Sequence, residues 1–190
     1  MEKTELYKQY CDNLILALKD INWEKISKLS DIMYEAWQKG KRIYICGNGG
    51  SAANAIHLAN DFNYGISRKN GIGMRVIALT ANSAVITCLA NDISYDEIFS
   101  QQIAVQGEKG DILIVLSGSG NSVNVIRALE EARKLGMKTF AILGYDGGKC
   151  KIIAETSIHV EIDDMQISED LQLIIGHIIM RILCENPVSK

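Results

Sequence analysis

Apolar positions along this chain follow two different periods, and their alternation predicts its architecture. Over residues 3–20, Leu6, Tyr10, Leu14, Ile15 and Leu18 recur at helical spacing. Over 23–38, Trp23, Ile26, Leu29, Ile32, Met33 and Trp37 do the same, and Gly40 ends that helix. The pattern then changes to short, nearly continuous apolar runs: Ile43 to Cys46, Arg75 to Leu79, Ile112 to Leu116, Thr139 to Leu143 and Ile158 to Ile162. Such runs suit strands buried on both faces of a parallel sheet. Helical stretches separate them. One opens at Ala52, and a short one over Asn82 to Ala90 is broken by Asn91-Asp92. Two more cover Tyr95 to Val105 and Val123 to Leu135, the second stopped by Gly136. A long one over 167–184 has Leu171, Ile174, Ile175, Ile178, Ile179 and Leu183 on its apolar face. The alternation predicts an α/β fold with a mainly parallel sheet. The unit 42–63 recurs in outline at 111–135, as two mononucleotide-like halves.

Composition narrows the classes this fold could serve. A chain of 190 residues is expected to form one domain with a substantial core. A net charge of −3 gives no electrostatic case for nucleic acid or an anionic membrane. No apolar run reaches membrane-spanning length, and Met1-Glu2-Lys3-Thr4-Glu5 does not read as a signal peptide. Cys11, Cys46, Cys88, Cys150 and Cys184 are dispersed with no CxxC pair, so reduced thiols and a cytoplasmic location are expected. The single proline, Pro187, falls past the last helix. The apolar face of the first helix suits an oligomer contact as well as packing on its own domain.

The candidate chemistry sits where strands give way to helices. Gly47-Asn48-Gly49-Gly50 is a turn between a strand and a helix, with Ser51 placed to cap that helix. Backbone N–H groups at such a turn, with a helix dipole behind them, make a ready phosphate site. Alone, the turn is equally compatible with a plain tight connection. It is not GxGxxG and has no P-loop lysine, so no nucleotide cofactor is indicated. Ser117-Gly118-Ser119-Gly120-Asn121-Ser122 points to an anion more firmly, because three hydroxyls exceed what capping needs. A third glycine turn, Gly144-Tyr145-Asp146-Gly147-Gly148, ends another strand, so all three should share the ligand-binding edge of the sheet. His57 and Asp61 are spaced i, i+4, and Glu169 and His177 lie near one side of the last helix. Imidazole and carboxylate serve proton transfer next to a carbonyl, and they serve equally as zinc ligands. His159, within a strand, reads as structural.

Taken together, Gly47-Asn48-Gly49-Gly50-Ser51, His57-Leu58-Ala59, Ala90-Asn91-Asp92, Ser117 to Ser122, Gly144 to Gly148 and His177 resemble the sugar isomerase (SIS) family, in its sedoheptulose-7-phosphate (phosphoheptose) isomerase branch. The resemblance covers nearly the whole chain. It implies a single SIS domain over 1–190, with a five-stranded parallel sheet flanked by helices and N-terminal helices over 1–40 that contribute to oligomer contacts. It implies a cytoplasmic homotetramer with sites at subunit interfaces. The implied reaction converts sedoheptulose 7-phosphate to D-glycero-D-manno-heptose 7-phosphate through an enediol, toward surface heptose of lipopolysaccharide or capsule. Asn48, Gly49, Gly50, Ser51, Ser117, Gly118, Ser119 and Ser122 match substrate-binding positions, and Asn91-Asp92 match a substrate-contacting pair. Asp61 and His177 match the acid/base pair. His57, Asp61, Glu169 and His177 match positions that hold zinc in some relatives.

Three departures stand out. The family usually has glutamate where this chain has Asp61, and glutamine where it has Glu169. Aspartate is shorter by one C–C bond, roughly 1.5 Å of reach. The basic and aromatic segment after the first site helix is altered too, and Arg68 and Lys69 are candidates for its anion contact. Alternative readings are an isomerase on another phosphosugar, or a non-catalytic SIS module that associates with the replication initiator. Asp61 and His177 argue against the latter, whose members tend to lack that carboxylate and histidine.

Overall fold

The computed structural model describes residues 2–66, 72–186 and 188. Its strands are β1 (Arg42–Cys46), β2 (Arg75–Ala78), β3 (Ile112–Ser117), β4 (Lys138–Leu143) and β5 (Thr156–His159). They form one parallel sheet in the order β2-β1-β3-β4-β5. Two helices precede it, α1 (Lys3–Lys19) and α2 (Trp23–Gln38). The connections carry α3 (Gly50–Asn60), α4 (Ser83–Asp92), α5 (Ser100–Gln106), α6 (Val123–Lys134) and the single turn α7 (Cys150–Ile153). The long α8 (Met165–Glu185) closes the fold.

Side-chain alternation along each strand supplies a core on both faces. Ile112, Ile114 and Leu116 of β3 join Ile43, Ile45, Phe140 and Ile158 beneath α2, α3 and α8. Leu113 and Val115 turn the other way, to Tyr44, Cys46, Ala141 and the buried side of α6. Burial raises the thiol pKa of Cys46, and that of Cys150 to about 12, so both behave as core apolar groups. Sequence order reverses between β1 and β3, because the chain leaves β1 for the β2 edge and then returns to the other side. In open α/β sheets this is the crevice that ligands occupy.

Several expected boundaries move, each for a local reason. Helix α4 runs through Asn91-Asp92 instead of breaking there, and Asn82 caps it by accepting from the Val85 N–H at 3.2 Å. The stretch Tyr95 to Val105 divides into a 3₁₀ turn, Tyr95–Glu97, and α5. The last strand is Thr156–His159, earlier than the apolar run Ile158 to Ile162. Its length follows its partner: β4 ends at Leu143, opposite His159. Pro187 lies outside the described residues. Helix α1 buries only Ala17, leaving Leu6, Tyr7, Ile15 and Leu16 exposed. It is tied to α8 by the Tyr10 hydroxyl, which donates to Asp170 at 2.5 Å.

Candidate functional site

Both glycine turns at the β1/β3 crevice are shaped by how closely their backbones approach. A Cβ on Gly47 would lie 2.7 Å from the Leu116 carbonyl oxygen, so the first turn presses on the end of β3. Gly49 adopts φ +57°, a left-handed conformation that glycine takes without strain. Its carbonyl accepts from the Ala52 and Ala53 N–H groups, which starts α3 at Gly50. Ser51 therefore lies inside the first helical turn and does not cap it. Its buried hydroxyl accepts from Gln172 Nε2 at 3.0 Å.

In the second turn, Ser117 Oγ accepts from the Gly120 N–H at 3.0 Å and Ser119 Oγ from the Asn121 N–H at 3.3 Å. A hydroxyl that accepts from backbone still has its own proton to donate. Ser122 stands at the N-cap of α6 without a side-chain capping bond. The third glycine turn buttresses the second. Gly144 N–H donates to the Gly118 carbonyl at 3.0 Å, and Cys150 N–H to the Gly120 carbonyl at 2.9 Å. His159 Nε2 meets the carbonyl of Tyr145, at 2.9 Å, supporting a residue held at φ 42°.

Between these turns lies a cavity of about 100 Å³, lined by Asn48, Ser51, Leu116, Ser117, Gly118, Ser119, Ser122, Met165 and Glu169. The N-terminal ends of α3, α6 and α8 all reach it, through Ser51, Ser122 and Met165. Of these, α3 and α6 begin without a side-chain cap, whereas the Asp164 carboxylate caps α8 by accepting from the Ile167 N–H at 3.0 Å. Larger hollows exist, one of about 480 Å³ beside Ile77, Asn82 and Gln102, which the N-terminal end of α4 reaches with Ser83. Among the described residues no Lys or Arg lines the serine cavity. The one charged group in that described lining is Glu169, packed so tightly on Gly50 that a Cβ there would lie 2.2 Å from Glu169 Oε2.

The second half of the site lies farther along α3 and α8, which run in the same direction side by side. Ser51 meets Gln172, and His57 meets His177. Asn54 Nδ2 donates to Gln172 Oε1 and to the Glu169 carbonyl, both at 3.0 Å, completing a polar network between the helices. Gly176 lets them approach, since a Cβ there would lie 2.3 Å from Leu58 Cδ2. The Nε2 atoms of His57 and His177 are 2.9 Å apart, with ring planes at 74°. Asp61 Oδ2 lies 3.4 Å from His57 Nε2 and 3.3 Å from His177 Nε2. Asp61 opens a π-helical turn, Asp61–Gly65, in which Ile66 N–H reaches back five residues to the Asp61 carbonyl at 2.9 Å.

Ligand atoms of His57, Asp61 and His177 all fall within 4.8 Å of one another. Metal–ligand bonds of about 2.0–2.1 Å in a tetrahedron put neighbouring ligand atoms about 3.3 Å apart. The Asp61 distances match that edge, and two imidazoles with a carboxylate are a zinc-type donor set that leaves one position open. Glu169 is not in this group: the fold places it two helical turns away, on the serine cavity. Although one C–C bond shorter than glutamate, Asp61 reaches both imidazoles.

Asn91 and Asp92 are brought to neither half within the single chain. They form the exposed last turn of α4, where Asn91 Nδ2 donates to Asp92 Oδ1 at 2.8 Å and Cys88 Sγ lies 3.4 Å from Oδ2. These bonds hold the Asp92 carboxyl below its ordinary pKa, Asn91 contributing most. Arg68 and Lys69 lie outside the described residues. Three residues join the site without having been singled out: Asn124, Gln172 and Tyr95. Asn124 and Gln172 are 2% and 1% exposed, and buried carboxamides need partners. The signal available for Gln172 was a polar residue among Leu171, Ile174 and Ile175 on an apolar helix face.

Comparison with known proteins gives a consistent answer. Residues 6–144 match the family described as SIS domain. The phosphoheptose isomerase of Clostridium acetobutylicum is 38% identical over 169 residues, covering 87% of this chain and 85% of its own. That of Akkermansia muciniphila is 34% identical over 182 residues, covering 92% and 95%. Among solved structures, phosphoheptose isomerase from Neisseria gonorrhoeae superposes with a TM-score of 0.89 at 27% identity, covering 98% of this chain and 100% of that one.

Proposed function

Because the chain belongs to the SIS domain family and is a phosphosugar isomerase, we propose that it interconverts sedoheptulose 7-phosphate and D-glycero-D-manno-heptose 7-phosphate through an enediol. The observation that carries this reading is Asp61 Oδ2 set between two imidazoles on the helix pair whose N-terminal ends line the serine cavity. Serine hydroxyls, turn N–H groups and the uncapped N-terminal ends of α3 and α6 hold the phosphate with neutral donors. Ser51 and His57 are six residues apart, so at 1.5 Å per residue the two halves are separated by about 9 Å along α3. An extended heptose 7-phosphate, with C–C bonds of about 1.5 Å taken in zigzag, places its reacting carbons about 9 Å from phosphorus. A triose phosphate would stop well short of Asp61.

Asp61 and His177 then divide the proton work. One accepts the proton from the carbon next to the carbonyl while the other protonates the carbonyl oxygen, giving the enediol; exchanged roles on the neighbouring carbon and oxygen give the aldose. His57, Asp61 and His177 would also fit a zinc ion, which when bound would take up the lone pairs that Asp61 and His177 use for proton transfer in the metal-free site and would polarise the sugar carbonyl. Names of the relatives support the heptose substrate. On this reading the product supplies surface heptose for lipopolysaccharide or capsule. The protein works in the cytoplasm as a homotetramer, in which the exposed apolar side of α1 meets another copy and Asn91-Asp92 reach a site at an interface.

Incubation with sedoheptulose 7-phosphate in deuterated water tests the reading, with metal stripped and restored. Aldose should form, with deuterium at the carbon next to the carbonyl. Absence of both, with and without zinc, would refute it.

A further inference from the structure

The carboxamide of Asn48 lines the cavity, and three of its four hydrogen-bonding positions are already taken. Its oxygen accepts from Asn124 Nδ2 at 2.9 Å and from the Tyr95 hydroxyl at 2.9 Å. Its nitrogen donates one proton to Asn124 Oδ1 at 2.9 Å. What remains is a single N–H. A reciprocal pair of carboxamides would hold equally well with both groups turned over, since each offers one donor and one acceptor to the other. The Tyr95 hydroxyl breaks that equivalence, because a phenol is a stronger donor than acceptor and so favours the arrangement that turns the Asn48 oxygen toward it.

Tyr95 is itself held in place. It opens the 3₁₀ turn Tyr95–Glu97, and Arg127 of α6 pairs with Glu97 and lies 3.7 Å from Asp96. Glu97 also accepts from Ser100 at the start of α5. One rigid connection thus runs from α6 through the 3₁₀ turn to the phenol and on to the first glycine turn. Half of Tyr95 remains exposed (55%), so core packing does not account for the placement of its hydroxyl.

We propose that Tyr95 is a positioning residue for the isomerase reaction: it biases Asn48 toward presenting its N–H, so that the substrate atom Asn48 reads is an acceptor oxygen of the sugar phosphate. The proposal rests on the phosphosugar reading above. Tyr95 touches no reacting atom and acts only through Asn48. Its removal lets the amide turn over and present an oxygen lone pair to an oxygen-rich ligand.

Calorimetric titration of sedoheptulose 7-phosphate into the wild type, Tyr95→Phe, Asn48→Ala and the double variant tests this. The phenylalanine keeps the ring and removes only the hydroxyl. Tyr95→Phe should weaken binding about fivefold, the scale of one neutral hydrogen bond. In the Asn48→Ala background the same change should have no effect, because the group it acts through is gone. Unchanged affinity in Tyr95→Phe, or an equal loss in both backgrounds, would overturn the proposal. The readout needs no turnover. A wild type that binds the sugar phosphate without isomerising it refutes the isomerase reading while the Tyr95 result stands, and a wild type that does not bind it refutes both.

Discussion

The two halves of the site, at opposite ends of one helix pair, are built from opposite materials. Near the N-terminal ends of α3 and α8 the cavity is made of backbone, hydroxyls and buried carboxamides. Ser51, Ser117 and Gln172 there are between 1% and 6% exposed. Six residues farther along α3, the imidazole side chains of His57 and His177 are nearly half exposed, at 48% and 46%. The first half is inseparable from the fold, because turns that bind would also be turns that pack. The second is side-chain chemistry laid on a finished scaffold. Function and stability should therefore come apart at one end and stay joined at the other.

The hardest test of that contrast is His177→Ala. We expect kcat with sedoheptulose 7-phosphate to fall about 10²–10⁴-fold, the usual weight of a proton-transfer group. Melting temperature should stay within about 2 °C, as for exposed positions generally. A large drop in melting temperature would break the contrast. At the other end, Gly120→Ala should damage both properties together. Gly120 has φ +65°, and a Cβ there would lie 2.0 Å from the Gly147 carbonyl oxygen, which is backbone and cannot swing aside. Strain and overpacking of about 3 kcal/mol should lower the melting temperature by about 9 °C, with substrate affinity falling alongside.

Those two positions differ in how far the sequence announces them. Gly120 sits in a run of serines and glycines whose meaning is local, so the turn and its anion chemistry can be read residue by residue. The β1, β3 and β4 runs are legible for the same reason. His57 and His177 stand out as candidates, but their contact depends on the packing of helices 120 residues apart. Asn91-Asp92 misled because polar residues can end a helix or simply face water from its last turn. Spacing along α8 puts Glu169 on the side of His177, and the resemblance adds it to the zinc positions, yet Gly50 opens a place for its carboxylate two turns away. Asn124 and Gln172 were not legible at all as partners, since what a buried amide bonds to is a property of the assembled core.

A smaller effect sharpens the contrast. Gln172→Leu removes the donor to Ser51 and the acceptor for Asn54, and leaves both buried without it. About 2 kcal/mol of destabilisation should follow, or about 6 °C in a melting curve, together with a raised KM as the Ser51 hydroxyl loses its orientation. The smallest effect is at Tyr10, whose bond to the Asp170 carboxylate is the main cause of its pKa being raised from 10.0 to about 12. Between those values the folded state keeps a proton that the unfolded chain has lost, so this contribution is complete below pH 10 and disappears as pH rises toward 12. Melting curves from pH 9 to 11.5 should decline less steeply in Tyr10→Phe than in the wild type.

The π turn after Asp61 gives that carboxylate a second anchor. A π turn holds one residue more than the α-helical turn it replaces. Here the wider turn is sewn to the sheet edge: Phe62 is buried, its carbonyl accepts from the Met74 N–H, and the Asn63 carboxamide both donates to and accepts from the backbone of Val76 in β2. Asp61 is therefore held from two directions, by the helix pair that carries His57 and His177 and by the edge strand beyond the turn. A shift of β2 would be felt at the carboxylate before it was felt at either imidazole.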